Sequence, residues 1–143
     1  MDLDAYVEMY NSKWVWENNE QKEKDQLNAR INFCEEISKY LKDDYDVIAI
    51  GERLLTAKEV QNFISKITAS CTAYVYHLTV SFSTRVRRLH LRGSHSLIDL
   101  EKDQKDRDSI KNWPGYVYEN IHSPEEDASN LFSLIRQGKG FIS

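Results

Sequence analysis

The sequence predicts an α+β domain, an antiparallel or mixed sheet of about four or five strands with amphipathic helices packed on one face. Three observations carry this expectation. Residues 74–82 alternate apolar and polar side chains, the period of a half-buried strand. Residues 27–41 and 60–67 instead repeat apolar side chains at spacings of three and four, the period of a helix face. Ser123-Pro124-Glu125-Glu126 reads as a helix start, with Ser as cap, Pro at the first helical position and Glu closing a capping box. A chain of 143 residues suits one domain with a core of its own. That domain is expected to span 1–143, helical over 1–44 and a sheet with two helices over 45–143.

The elements follow in chain order. Asp2 can cap a short helix with Leu3, Tyr6, Val7 and Tyr10 on one side. Residues 17–26 contain no apolar side chain and suit a solvated helical extension or a loop. Leu27, Ile31, Cys34, Ile37 and Leu41 then predict an amphipathic helix ending near Lys42. The apolar run 46–50, closed by Gly51, suits a buried strand. Thr56 and Glu59 match a capping box, and Val60, Phe63, Ile64 and Ile67 supply the stripe of the helix it opens. Residues 96–100 suit a short strand, 101–108 a solvated helix or loop, and 116–121 a further strand. The last helix runs from Ser123 to Gly138, with Ala128, Leu131, Phe132 and Ile135 inward.

The stretch 73–93 is predicted to be the structural centre. Tyr74, Tyr76, Leu78, Val80 and Phe82 share one parity, whereas Leu89 and Leu91 have the opposite one. One straight strand cannot bury both sets. A reversal at Ser83-Thr84 repairs the parity and makes a hairpin, with a bulge or a longer loop as the alternative. Its outward face would hold His77 opposite His90 and Thr79 opposite Arg88, with Arg92 beside them.

Charge and composition exclude several classes. Charged residues at 29% and hydrophobic ones at 41% fit a globular chain and not a disordered one. The net charge of −4 argues against a dedicated DNA-binding domain. Residues 1–72 carry 9 basic and 14 acidic groups, whereas residues 73–92 hold Arg85, Arg87, Arg88 and Arg92 with no acid. The acidic N-terminus is unlike a secretory signal, and no apolar run approaches membrane length, so a cytoplasmic protein without membrane contact is expected. Cys34 and Cys71 form no paired motif and are expected to be reduced, packed thiols. No metal site and no cofactor are expected: a nucleotide-binding glycine loop, a His-Glu-x-x-His helix and a nucleophile elbow are all missing.

Three sets of residues are candidates for function. His77-Leu78-Thr79 resembles one copy of the His-x-Thr strand motif of the two-histidine phosphoesterases. Those enzymes use two copies, one histidine as acid and one as base. His90, His95 and His122 begin no second copy, so no family is assigned. The basic face formed by Arg85, Arg87, Arg88, Arg92 and Thr79 could hold phosphate or single-stranded nucleic acid. Trp14, Trp16, Tyr10 and Trp113 are candidates for a protein interface, where Trp and Tyr are enriched. Trp14 and Trp16 stand two apart and cannot share one helix face, which suggests that one of them is exposed.

Three functions follow, in order. The first is a small interaction protein that binds and inhibits or neutralises a partner protein, as phage-borne inhibitors and immunity proteins do. The second is a nucleic-acid or nucleotide binder that uses the basic hairpin, with RNA or DNA as partner. The third is a phosphate-handling enzyme with His77 and His90 as acid and base. Homodimerisation through a sheet edge is a further expectation.

Overall fold

The structure, a computed structural model, describes residues 1–52, 54–93, 99–110 and 113–142. The chain is mostly helical. Among the described residues it forms α1 (Leu3–Tyr10), α2 (Asn19–Lys42), α3 (Ala57–Ile64), β1 (Ala73–Tyr74), β2 (Tyr76–Thr79), α4 (Phe82–Leu91), α5 (Leu100–Asp108), β3 (Tyr116–Glu119), α6 (Pro124–Arg136) and β4 (Phe141–Ile142). The strands make two separate pairs, β1 with β4 antiparallel and β2 with β3 parallel. The expected sheet of four or five strands is therefore corrected to a minor β component. By contact the chain divides into two compact units: Met1–Leu54 with Gln61–Cys71, and Leu55–Val60 with Thr72–Ser143.

In the first unit Asp2 caps α1 as predicted, its carboxylate accepting from the Asp4 N–H at 3.1 Å. The polar run before Leu27 is helical, because Asn18 caps α2 by accepting from the Gln21 N–H at 2.8 Å. Leu3, Phe33 and Ile37 form the core, with Met1, Tyr6, Leu41, Val47, Phe63 and Ile67 packed around them. Phe33 is central: Tyr6 meets it edge-on at 5.1 Å and Phe63 lies at 6.3 Å. The inward stripe of α2 is Ala29, Phe33, Cys34 and Ile37, while Leu27 and Ile31 are exposed. The expected face was therefore rotated: Phe33 has more area to bury than Leu27 or Ile31, and α1 covers its side of the helix.

The run 46–50 is not a buried strand. Ile48 and Ile50 are exposed, and the segment makes one parallel bridge, Asp2 to Ile50. Ile50 donates to the Met1 carbonyl at 2.9 Å and accepts from Leu3 at 3.0 Å, so a lone chain segment satisfies its backbone here instead of a sheet.

In the second unit Thr56 and Glu59 close their capping box, with Thr56 N–H to Glu59 Oε2 at 2.9 Å and Glu59 N–H to Thr56 Oγ1 at 3.2 Å. β2 and β3 run in register from Tyr76 opposite Tyr116 to Thr79 opposite Glu119. Gly115 is required just before β3, since a Cβ there would stand 2.1 Å from the Val75 carbonyl oxygen. Ser123 caps α6 and Glu126 completes the box, as the sequence indicates. Gly138, at φ 73°, reverses the chain after α6 and lets β4 return to β1.

The expected hairpin is not formed. Ser81 accepts from the Thr84 N–H at 3.3 Å and caps α4, so the segment after β2 is a helix. The parity change at Leu89 marks a switch from period 2 to period 3.6 and not a reversal. Phe82, Arg85, Val86 and Leu89 stand at helical spacing, and Arg85 is the buried member. The strand expected at 96–100 lies largely outside the described residues, and Leu100 opens α5 instead.

Candidate functional site

In the first unit one run of exposed apolar side chains lies at the end of α1 and in the turn that follows it. Met9 is 75%, Val15 74%, Tyr10 41% and Trp14 40% exposed. Asn11 fixes this stretch. Its N–H donates to the Val7 carbonyl at 3.0 Å, its Oδ1 accepts from Lys13 at 3.2 Å, and its Nδ2 donates to the Val15 carbonyl at 2.7 Å. Trp14 sits inside this turn at φ 55°, the left-handed region that an L side chain occupies at a cost of about 1–2 kcal/mol. Asp44, the other such non-glycine residue among those described, simply follows the C-cap of α2.

The two tryptophans divide their roles. Trp16 is anchored: its indole N–H donates to the buried Asp25 at 3.0 Å, and the Lys22 ammonium lies 5.6 Å from its ring. Trp14 meets Trp16 edge-on at 6.0 Å, and its own N–H reaches Glu8 at 3.4 Å. Tyr10 accepts from Asn32 at 2.7 Å while its ring stays exposed. A shallow depression alongside is lined by Tyr6, Met9, Asn32, Glu35, Glu36 and Lys39. Tyr6 donates to Glu36 at 2.7 Å, and burial, with that hydrogen bond second, pushes its pKa up to about 12. The sequence singles out Tyr10, Trp14 and Trp16. It does not reveal Asn11 or Asp25, since neither an Asx turn nor the burial of one acid in a polar run has a periodic signal.

In the second unit the expected hairpin face is divided between β2 and α4. Thr79 lies on β2 opposite Glu119. His77 lies on β2 opposite Val117, half-buried, its ring 5.4 Å from that of Trp113. His90 is exposed on α4, so the strand register that set it opposite His77 does not exist. Burial first, and then the Arg107 charge, lower the His77 pKa, with Asp103 pulling the other way. His77 is thereby kept neutral near pH 7.

The arginines differ from one another. Arg85 is buried: its Nη1 donates to Asp103 Oδ2 at 2.6 Å, its Nη2 donates to Gln104, and the Phe82 ring lies 5.5 Å away. Arg107 donates from Nε to the same Asp103 oxygen at 2.9 Å. Arg88 reaches Asn120 at 3.5 Å, Arg87 is exposed, and Arg92 is the exposed C-cap of α4. Segment 101–108 is thus a helix with a buried acid and not merely a solvated run. The Asp103–Arg107 spacing is legible in sequence as an i, i+4 pair, but the third partner, Arg85, is not.

A second polar cluster joins β3 to α6. The Tyr118 hydroxyl donates to Asp127 Oδ1 at 2.6 Å and accepts from Asn130 at 3.2 Å, and His122 Nδ1 stands 3.0 Å from the same carboxylate oxygen. The hydrogen bond from Tyr118 lowers the Asp127 pKa and raises that of Tyr118. Cys34 is buried as expected, and its thiol pKa is raised by that burial, whereas Cys71 is exposed at the end of the first unit. Among the described residues no helix is long and apolar enough to cross a membrane, and no group of three or more His, Cys, Asp or Glu could hold a metal ion.

The architecture defined here is that of a mostly helical chain in two units, with an aromatic turn in one and an arginine–histidine cluster in the other. Comparison with protein families, with curated proteins and with solved structures returns no match for this chain.

Proposed function

We propose that this chain is an interaction protein that binds a partner protein through residues 9–15 of its first unit and inhibits it by covering a basic surface. The observation that carries the reading is Trp14, an exposed indole held at φ 55°. The Asn11 hydrogen bonds fix the backbone on either side of Trp14, and Trp16 and Glu8 hold its ring, so this exposed aromatic side chain loses little further freedom on binding. Met9, Tyr10 and Val15 supply apolar area beside it, and Glu8, Glu35 and Glu36 supply negative charge. The excess of acids over bases in residues 1–72, 14 against 9, complements a basic partner surface and speeds encounter with it.

The test compares the wild-type chain with Trp14→Gly as bait against extract from its own source cells. Glycine accepts the left-handed backbone without strain, so the variant keeps the turn and loses the indole. A protein retained by the wild type and lost by the variant is the expected result. Equal retention by both, or retention of no protein, overturns the reading. Labelled RNA titrated over a salt series is the second arm. Tight binding that falls steeply with salt would replace the protein partner with a nucleic acid.

A further inference from the structure

One face of α2 is left exposed with its charges unpaired. Leu27 and Ile31, about one turn apart, are 48% and 40% exposed. Glu20 and Lys24 precede them and Glu35 and Lys39 follow, all four exposed and all on one slowly winding row of the helix. Glu20–Lys24 and Glu35–Lys39 stand at i, i+4, yet among the described residues none of these four charges has an ion pair in the chain. In chain order the row reads acid, base, Leu, Ile, acid, base. Turned end for end it reads base, acid, Ile, Leu, base, acid, which complements the original at every charged position. Two copies of α2 laid antiparallel therefore set Leu27 against Ile31, Lys24 against Glu35 and Glu20 against Lys39, each contact made twice about a two-fold axis. Laid parallel in register, they would set every charge against its like.

We propose that this face of α2 binds a second copy of this chain, as an antiparallel two-fold dimer centred between Leu27 and Ile31. Burial of the apolar side chains drives association, and the ion pairs between copies fix direction and register. Residues 20–39 span about 28 Å of helix, a contact at the small, reversible end of interfaces. The aromatic turn stays open in each copy, because Asp25 and Asn32, which hold Trp16 and Tyr10, project from another side of α2. Glu35 and Lys39 also line the depression beside Met9, so these two residues belong to both surfaces.

The experiment is sedimentation equilibrium of the full chain from about 10 µM to about 1 mM, a range that reads a Kd as weak as millimolar. A monomer–dimer equilibrium that weakens with added salt is expected. Lys24→Glu and Glu35→Lys, each alone, set like charges together at two symmetric contacts and should weaken the dimer about tenfold. An equimolar mixture of the two variants restores opposite charges at both contacts, as does the chain that carries both changes. Each should return the dimer to about wild-type strength, which a merely damaged fold would not do. Leu27→Asp should leave only monomers. All three positions are exposed, and every variant should keep the wild-type circular dichroism. A wild type that is monomeric throughout, a dimer indifferent to the charge changes, or a mixture that stays monomeric overturns the proposal. A different protein retained from cell extract and lost on Leu27→Asp, with the chain itself monomeric, gives the face to that protein and overturns it as well.

Discussion

Arg85 on α4 and Asp103 on α5 form an ion pair at 2.6 Å, with both side chains nearly withdrawn from solvent. The pair joins two helices that the sequence describes very differently, one as half of a basic hairpin and the other as a hydrated run. It consumes a residue that the sequence offered as a candidate for binding phosphate or nucleic acid. It also makes Asp103 the shared partner of two guanidiniums.

Removing that carboxylate should be costly. Asp103→Ala leaves Arg85 buried without its ionic partner, and breaking a buried pair in this way costs on the order of 3 kcal/mol. Urea denaturation should show the unfolding free energy falling by that amount, as a lower midpoint at an unchanged slope. A loss below about 0.5 kcal/mol would place the pair among surface ion pairs.

Gly115→Ala tests the parallel pair of strands. The added methyl meets the Val75 carbonyl oxygen at 2.1 Å, and the backbone must shift to admit it. Overpacking of this kind costs about 1–3 kcal/mol. Amide exchange should report the damage locally, with protection lost first at Tyr116, whose N–H donates to Val75 at 2.9 Å. Unchanged protection there would refute the contact.

The Tyr118–Asp127 hydrogen bond predicts a pH dependence. The folded pKa of Asp127 lies below its ordinary value of 3.8, so the unfolded chain binds the proton more readily. The carboxylate's contribution is therefore complete above that ordinary value and is lost as pH falls through the lower, folded one. In acid titrations of stability, Asp127→Asn should lose less than the wild type over this window. Parallel curves for the two proteins would rule out the linkage.

Much of the site's composition was legible in sequence, and its geometry was not. Trp14, Trp16, Tyr10, Arg85 and His77 were identified by residue type alone. Which of them are exposed was settled by partners distant in the chain or without periodic pattern. Asp25 anchors Trp16 and leaves Trp14 at the surface. Asp103 draws Arg85 inward, and Trp113 covers His77 in place of His90.

The sequence by itself determined the signals that act within one turn of chain. The caps at Asp2, Thr56 and Ser123, the helix over 27–41 and the first four residues of the strand expected at 116–121 formed where short-range hydrogen bonds and side-chain period place them. Only the tertiary structure decided whether residues 82–91 became a strand or a helix. Their apolar side chains fit both periods in part, and the helical stripe is complete only if Arg85 counts as an inward residue. A guanidinium can be inward only beside an acid, and Asp103 arrives from 18 residues away. Local pattern carries no information about that encounter, which is what satisfies the inward guanidinium.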